Sequence, residues 1–237
     1  MTATEVAPGL LLRAGAQSSF ALADYRLAAF DMDSTLINIE CVDEIAAAVG
    51  RKAEVAAITE AAMRGEITDY KASLRQRVAL LKGVNRADLQ RVLDERLQLN
   101  PGVASFVAAL QKAGLRTLLV SGGFTFFSNV VRGRLKLDFA RANVLEMDGE
   151  QLTGRMVDQP WGDIVDGEQK RRTVLDVCDL MGIAPSQAIA VGDGANDLPM
   201  MEAVGLSVAF HAKPAVRERA VLSLAEGGMD RLLAVLK

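Results

Sequence analysis

The sequence predicts an α/β protein: a doubly wound parallel sheet, with a helical cap inserted after its first strand. Three observations predict it. Short apolar runs recur at 27–30, 116–120, 188–191 and 206–210, long enough for buried strands and too short for helices. Segments with helical start and stop signals lie between most of them, and strand–helix alternation is the pattern of a parallel sheet covered on both faces. The span 41–98 interrupts that alternation and holds no strand-like run.

In chain order, residues 1–25 read as an N-terminal extension. Leu10-Leu11-Leu12 has no basic stretch before it, so it does not read as a secretory leader. The first strand is Leu27-Ala28-Ala29-Phe30. In the inserted span, Leu74, Val78 and Leu81 recur at helical spacing, as do Leu89, Val92 and Leu93, and Gly65 and Gly83 punctuate it. The next helix is expected over Pro101–Lys112, with Asn100 as its cap, Pro101 at its first position and Gly114 at its exit. The strand Arg116–Val120 follows. Asp148-Gly149 predicts a two-residue hairpin turn between Val144-Leu145 and Leu152 onward. A helix from about Gln169 to Met181 stops at Gly182, and Ala188–Val191 is the next strand. A last helix is expected from Asn196 to Gly205, before the strand Leu206–Phe210. The domain reading is an extension over 1–25, a core of 26–38 and 100–237, and a helical cap over 39–99.

Composition narrows the function classes. Half of the 237 residues are hydrophobic, enough for a sizeable core. The net charge of −3 speaks against a nucleic-acid binder held by a basic face. No apolar stretch approaches the roughly 18 residues that a membrane span needs. Cys41 and Cys178 are the only cysteines, which leaves no disulfide framework and no thiolate zinc site. A reducing, cytoplasmic location is expected. His211 is the sole histidine and is expected to be structural; Trp161 is expected to pack.

The chemistry begins at Asp31-Met32-Asp33-Ser34-Thr35. In extended chain, positions i and i+2 point the same way, so both acids leave the carboxyl end of the first strand together. That end is where ligands bind in open α/β sheets. Taken alone, Asp-x-Asp is an ordinary solvated strand end. Here the second strand also ends in Ser121-Gly122-Gly123, and the third in Gly192-Asp193-Gly194-Ala195-Asn196-Asp197. Glycine-rich turns let backbone N–H groups approach a phosphate. Four acids delivered to one sheet edge repel one another, and a cation resolves that repulsion. Oxygen ligands without histidine or cysteine point to magnesium. A carboxylate attacking a phosphate dianion meets like charge, at about 4 kcal/mol per unit pair at 4 Å and an effective dielectric of 20. A divalent cation and a lysine make the approach favourable. Spacing alone does not choose among Lys170, Arg171 and Arg172.

Asp31-x-Asp33-x-Thr35, Ser121, a lysine near 170 and Gly192-Asp193-Gly194-x-Asn196-Asp197 resemble, in order and spacing, the four motifs of the haloacid dehalogenase superfamily. Within it the chain is similar to the members that hydrolyse phosphoserine: in Asp31 to Ile37, Glu40, Val42-Asp43-Glu44-Ile45, Ser73-Leu74-Arg75-x-Arg77-Val78, Val120 to Phe124, Ala190 to Asp197 and Ala212-Lys213-Pro214. The match runs from about residue 27 to the C-terminus. Some members carry a regulatory domain before the core, for which residues 1–25 are too short.

The resemblance implies a set of roles. Asp31 would be the nucleophile and a magnesium ligand. Asp33 would be the general acid and base, with its backbone carbonyl on the metal, and Asp193 would complete the protein ligands. Ser121 and Gly122 would hold phosphate oxygens, and Lys170 would neutralise the phosphoryl group. Asn196 would sit against the substrate, with Asp197 and Thr35 supporting the site. In the cap, Glu40 would take the ammonium and Arg75 the carboxylate of a phosphorylated amino acid, while Met63 and Tyr70 would exclude water. The expected partner is a small phosphomonoester. Two other readings stay open: a phosphatase or phosphotransferase acting on another amino-acid phosphate, and a receiver-like module that stores an aspartyl-phosphate. The second has no use for a cap.

Overall fold

The structure is a computed structural model that describes residues 3–16, 20–63, 66–160, 162 and 164–237; the side chains of 62 and 63 and all of residue 161 lie outside that description, and with them the expectation for Trp161. The strands are β1 (Thr4–Ala7), β2 (Leu10–Leu12), β3 (Leu27–Phe30), β4 (Arg116–Phe124), β5 (Phe139–Asp148), β6 (Gln151–Val157), β7 (Ala188–Gly192), β8 (Leu206–Phe210) and β9 (Leu222–Leu224). They form one sheet in the order β1-β2-β9-β8-β7-β3-β4-β5-β6.

The run from β9 to β5 is parallel, and β3 lies inside it between β4 and β7. The four residues of β3 are apolar without alternation because both of its faces are covered. Ala28 and Phe30 point into one core with Leu119, Ile189 and Val191; Leu27 and Ala29 point into the other with Leu118, Ala188 and Ala190. The first core packs α5 (Val103–Lys112) and α6 (Thr125–Leu135), where Phe30 meets Phe106 edge to face at 6.3 Å. The second packs α7 (Gly167–Leu180) and α8 (Leu198–Glu202), and α9 (Pro214–Arg217) also lies on this side through Val216. Truncating a ring as buried as Phe30 costs about 3–5 kcal/mol. The chain moves from β3 to β4 on one side and later to β7 on the other. β3 is therefore the switch point of the sheet, and its carboxyl end opens a crevice.

Among its described residues the inserted span carries four helices joined by short turns: α1 (Cys41–Ala48), α2 (Lys52–Met63), α3 (Tyr70–Ala79) and α4 (Arg86–Glu95). Leu74, Val78, Leu89, Val92 and Leu93 are buried, as their spacing requires.

Local expectations fail where a side chain or turn finds a better partner. The helix expected from Pro101 starts at Val103, after Gly102 at φ +76°. Asn100 does not cap it. Its amide donates to the carbonyls of Ser34, Thr35 and Ile37 at 3.3, 2.9 and 2.9 Å, pinning the loop after β3. The hairpin closes one residue later than Asp148-Gly149 predicts: Asp148 pairs with Gln151, and Gly149 at φ +57° opens the turn. The helix expected over 196–205 is a tight turn at Ala195–Asp197 followed by the short α8, with Pro199 in its first turn. β4 runs on through Ser121-Gly122-Gly123, which the sequence marks as a turn. In the extension, β1 and β2 add to the sheet edge, with Leu10 and Leu12 paired against Leu224 and Leu222 and buried.

Candidate active site

Asp31 follows β3 directly, and its N–H donates to Val191 O at 3.0 Å. The loop beyond turns sharply. Ser34 takes φ +56°, a left-handed conformation that costs about 1 kcal/mol for a residue with a β-carbon. Ser34 N to Ile39 O at 3.1 Å, Ile37 N to Met32 O at 3.0 Å and the Asn100 amide hold it.

Lys170, in the first turn of α7, is fully buried. Its ammonium lies 2.7 Å from Asp31 Oδ1 and donates to Asp197 Oδ1 at 2.6 Å. Arg171 is exposed and pairs with Glu168, and Arg172 is exposed too. Burial works against the Lys170 charge, but Asp197 and Asp31 outweigh it and keep the ammonium protonated well above its ordinary value. Asp197 is saturated, because its Oδ2 accepts from the N–H groups of Asp193 and Gly194 at 3.1 and 3.0 Å. A β-carbon at Gly192 would run into that carboxylate. Asp197 thus braces both Lys170 and the Asp193 loop.

The carboxylates of Asp31, Asp193 and Asp197 approach one another within 4.8 Å. Burial first, then neighbouring carboxylates, pushes Asp31 well above its ordinary value; burial and Asp197 push Asp193 up to about 7 despite a 2.8 Å hydrogen bond from Thr35 Oγ1. With Asp33 alongside, four acids face the one buried ammonium of Lys170 among the described residues. That imbalance and an all-oxygen donor set fit a hard divalent cation. Because Asp197 is spent on Lys170 and backbone N–H groups, Asp31 and Asp193 are the carboxylates open to an ion.

Asp33 is gripped by Cys41, the first residue of α1. The Cys41 N–H donates to Oδ2 at 3.0 Å and its thiol donates to Oδ1 at 3.2 Å. Burial first and Glu40 second still raise the Asp33 carboxyl to about 7. Glu40 accepts from Ser34 Oγ at 2.6 Å. At the end of β4, Ser121 is buried and its hydroxyl accepts from Gly123 N at 2.9 Å. Asn143 donates to Gly122 O at 2.8 Å and accepts from Val165 N at 2.9 Å, which fixes that strand end.

A cavity of about 880 Å³ opens over these groups, between the sheet edge and the inserted helices. Asp31, Asp33, Glu40, Ser121, Gly122, Asp193, Asn196 and Tyr70 line it. Arg75 does not. It is exposed and borders a separate cavity of about 420 Å³ with Glu146 and Arg155. Among the described residues, the arginine on the wall of the larger cavity is Arg77, with its Nε buried. The reason is helical geometry. Tyr70, Ser73, Leu74 and Arg77 fall at i, i+3, i+4 and i+7 on one face of α3, and all four line the cavity. Arg75 is turned away from that face. The sequence reading missed Arg77 and Cys41; the helical stripe would have found the first, whereas nothing in the spacing marks the second. Met63 closes α2, but its side chain lies outside the described residues. His211 stands away from the cavity, stacked on Phe210 and 2.9 Å from Gly227 O.

An acid pair directly after a switch-point strand, a buried lysine and a glycine-bearing strand end beneath inserted helices are parts that phosphoryl transfer to a carboxylate requires. The chain belongs to the haloacid dehalogenase-like hydrolase family, whose model matches residues 25–205. It is 64% identical to the phosphoserine phosphatases of Polaromonas sp. and of Albidiferax ferrireducens, over 237 residues that make up the whole of each chain. Among solved structures it is similar to a phospho-aspartyl intermediate analogue of phosphoserine phosphatase, with a TM-score of 0.82 and 34% identity, covering 90% of this chain and 99% of that one. A HAD family hydrolase from Salmonella enterica gives a TM-score of 0.84 at 37% identity, covering 94% of this chain and 73% of that one.

Proposed function

We propose that this protein is a magnesium-dependent phosphatase that hydrolyses O-phospho-L-serine to serine and phosphate, the last step of serine biosynthesis, through an aspartyl-phosphate on Asp31. The observation that carries the reading is Asp31 itself. It is only 6% exposed, sits 2.7 Å from Lys170, and lies beneath a cavity whose walls hold Glu40 and Arg77.

Residues 39–99 act as the cap, and 26–38 with 100–237 as the core. Asp31, Asp193 and the backbone carbonyl of Asp33 would hold magnesium, which when bound offsets the charge between nucleophile and phosphoryl group. Lys170 would add to that offset, and Ser121 with the Gly122 backbone would orient the phosphoryl oxygens. An Asp31 oxygen bonds to phosphorus as the bond to the serine oxygen breaks. Asp33 gives its proton to that leaving oxygen. Water then attacks the aspartyl-phosphate, Asp33 takes a proton from it, and phosphate departs. A carboxyl near 7 suits both directions of transfer at neutral pH. Glu40, oriented by Ser34, pairs with the substrate ammonium. Arg77, in place of Arg75, pairs with its carboxylate. No helix among the described residues is long and apolar enough to cross a membrane, and both cysteines are free, which fits a cytoplasmic enzyme.

Acid quenching during turnover of labelled phosphoserine tests the reading. The label is expected on the peptide that carries Asp31, and none on an Asp31→Asn variant. Label on another residue would overturn the nucleophile.

A further inference from the structure

Tyr70 is the first residue of α3, and two contacts fix that turn over the core. Asp69 caps the helix by accepting from Lys71 N at 2.8 Å, and Lys71 Nζ reaches Asp166, which caps α7, at 3.4 Å. The ring therefore projects from the inserted helices into the cavity, near the Ser121-Gly122 end of β4.

Its hydroxyl comes close to that loop. A β-carbon added at Gly122 would overlap Tyr70 Oη and stand 3.3 Å from Cζ. Gly122 has ordinary backbone angles and carries no positive φ, so it is this approach that demands a glycine there. The hydroxyl makes no hydrogen bond to any described residue, and Asp31, Asp33, Ser121 and Arg77 border the same cavity. Tyr70 is half-buried, and a phenol that faces a binding cavity without a protein partner is set to pair with what enters. Burial pushes the phenol up to about 12, so it carries its proton, and can donate, across the neutral range.

We propose that the Tyr70 hydroxyl donates a hydrogen bond to a phosphoryl oxygen of the bound phosphomonoester, so that the cap supplies a phosphate ligand as well as a wall. This rests on the reading that the phosphoryl group sits between Asp31 and Gly122. The other phosphate contacts come from the core and are present whether the cap is open or closed. A donor on the cap is added only on closure, which ties closure to the presence of a phosphoryl group.

Tyr70→Phe tests this, since it removes one oxygen and keeps the ring. An unchanged melting temperature will show that the variant is folded. We expect kcat/KM to fall about tenfold on both O-phospho-L-serine and para-nitrophenyl phosphate, because the donor acts on the group they share. Inorganic phosphate, as a competitive inhibitor, is expected to weaken by a similar factor. Losses below twofold on both esters would overturn the proposal. So would a loss confined to phosphoserine with phosphate inhibition unchanged, which would place the hydroxyl on the serine moiety. If the native enzyme released nothing from phosphoserine, the substrate assignment would fall, while para-nitrophenyl phosphate and inorganic phosphate would still decide the role of Tyr70.

Discussion

Cys41 donates both its backbone N–H and its thiol to the two oxygens of Asp33, at 3.0 and 3.2 Å. The acid proposed to protonate the leaving group is thus aimed by the first residue of α1. A misaimed acid harms poor leaving groups most. Cys41→Ala should lower kcat/KM on phosphoserine about tenfold and on para-nitrophenyl phosphate, whose phenolate leaves unaided, less than threefold. Cys41→Ser keeps a donor and should stay within threefold on both. Equal losses on the two esters would make Cys41 merely structural.

Arg77 and Arg75 give opposite predictions. A charge-assisted hydrogen bond contributes about 1.5–3 kcal/mol, or roughly 10- to 150-fold in binding. Arg77→Ala should raise KM for phosphoserine by about that factor and leave para-nitrophenyl phosphate within threefold. Arg75→Ala should leave both within twofold. The reverse pattern in steady-state kinetics would return the carboxylate to Arg75.

Lys170 separates two buried acids, and removing one member of a buried ion cluster leaves uncompensated charge. Lys170→Met should cost about 3–5 kcal/mol of stability in urea unfolding, in addition to abolishing turnover. Turnover lost with stability unchanged would mean that the cluster does not brace the fold.

Away from the site, Asp138 accepts from Thr117 N at 2.8 Å, from Arg116 at 2.7 Å and from the Thr117 hydroxyl at 2.9 Å. Partial burial would raise its carboxyl, but these bonds outweigh it and hold the carboxyl below its ordinary value. A depressed folded value stabilises above the unfolded value near 3.9 and is lost as pH falls through the folded one. Asp138→Ala should cost about 1–2 kcal/mol at pH 7, with the difference shrinking below about pH 4. An equal loss at pH 7 and pH 3, by urea unfolding, would contradict this.

The strand β3 was readable because it is buried on both faces, and only a continuous apolar run survives there. Asp31 and Asp33 then follow at a fixed offset. The same holds for β7 and its Gly192-Asp193-Gly194 turn. Orientation was harder to read. Arg75 and Arg77 both sit in the matched stretch, and which one faces the cavity depends on how Leu74 and Val78 seat α3. Lys170 differs from Arg171 and Arg172 only in lying on the buried face of α7. Asn100 looked like a cap because its local sequence suits one, yet three carbonyls 63 to 66 residues away bind it instead. The β1–β2 hairpin escaped notice because its pairing partner, β9, lies at the other end of the chain.

The central claim is tested most directly by phosphate release from a panel of esters, with magnesium and with a chelator. The panel holds O-phospho-L-serine, phosphothreonine, phosphohomoserine, phosphocholine and a sugar phosphate. The account predicts strong preference for phosphoserine, present with magnesium and abolished by the chelator. Release that survives the chelator, or a preference for an ester lacking the ammonium and carboxylate that Glu40 and Arg77 face, would contradict it.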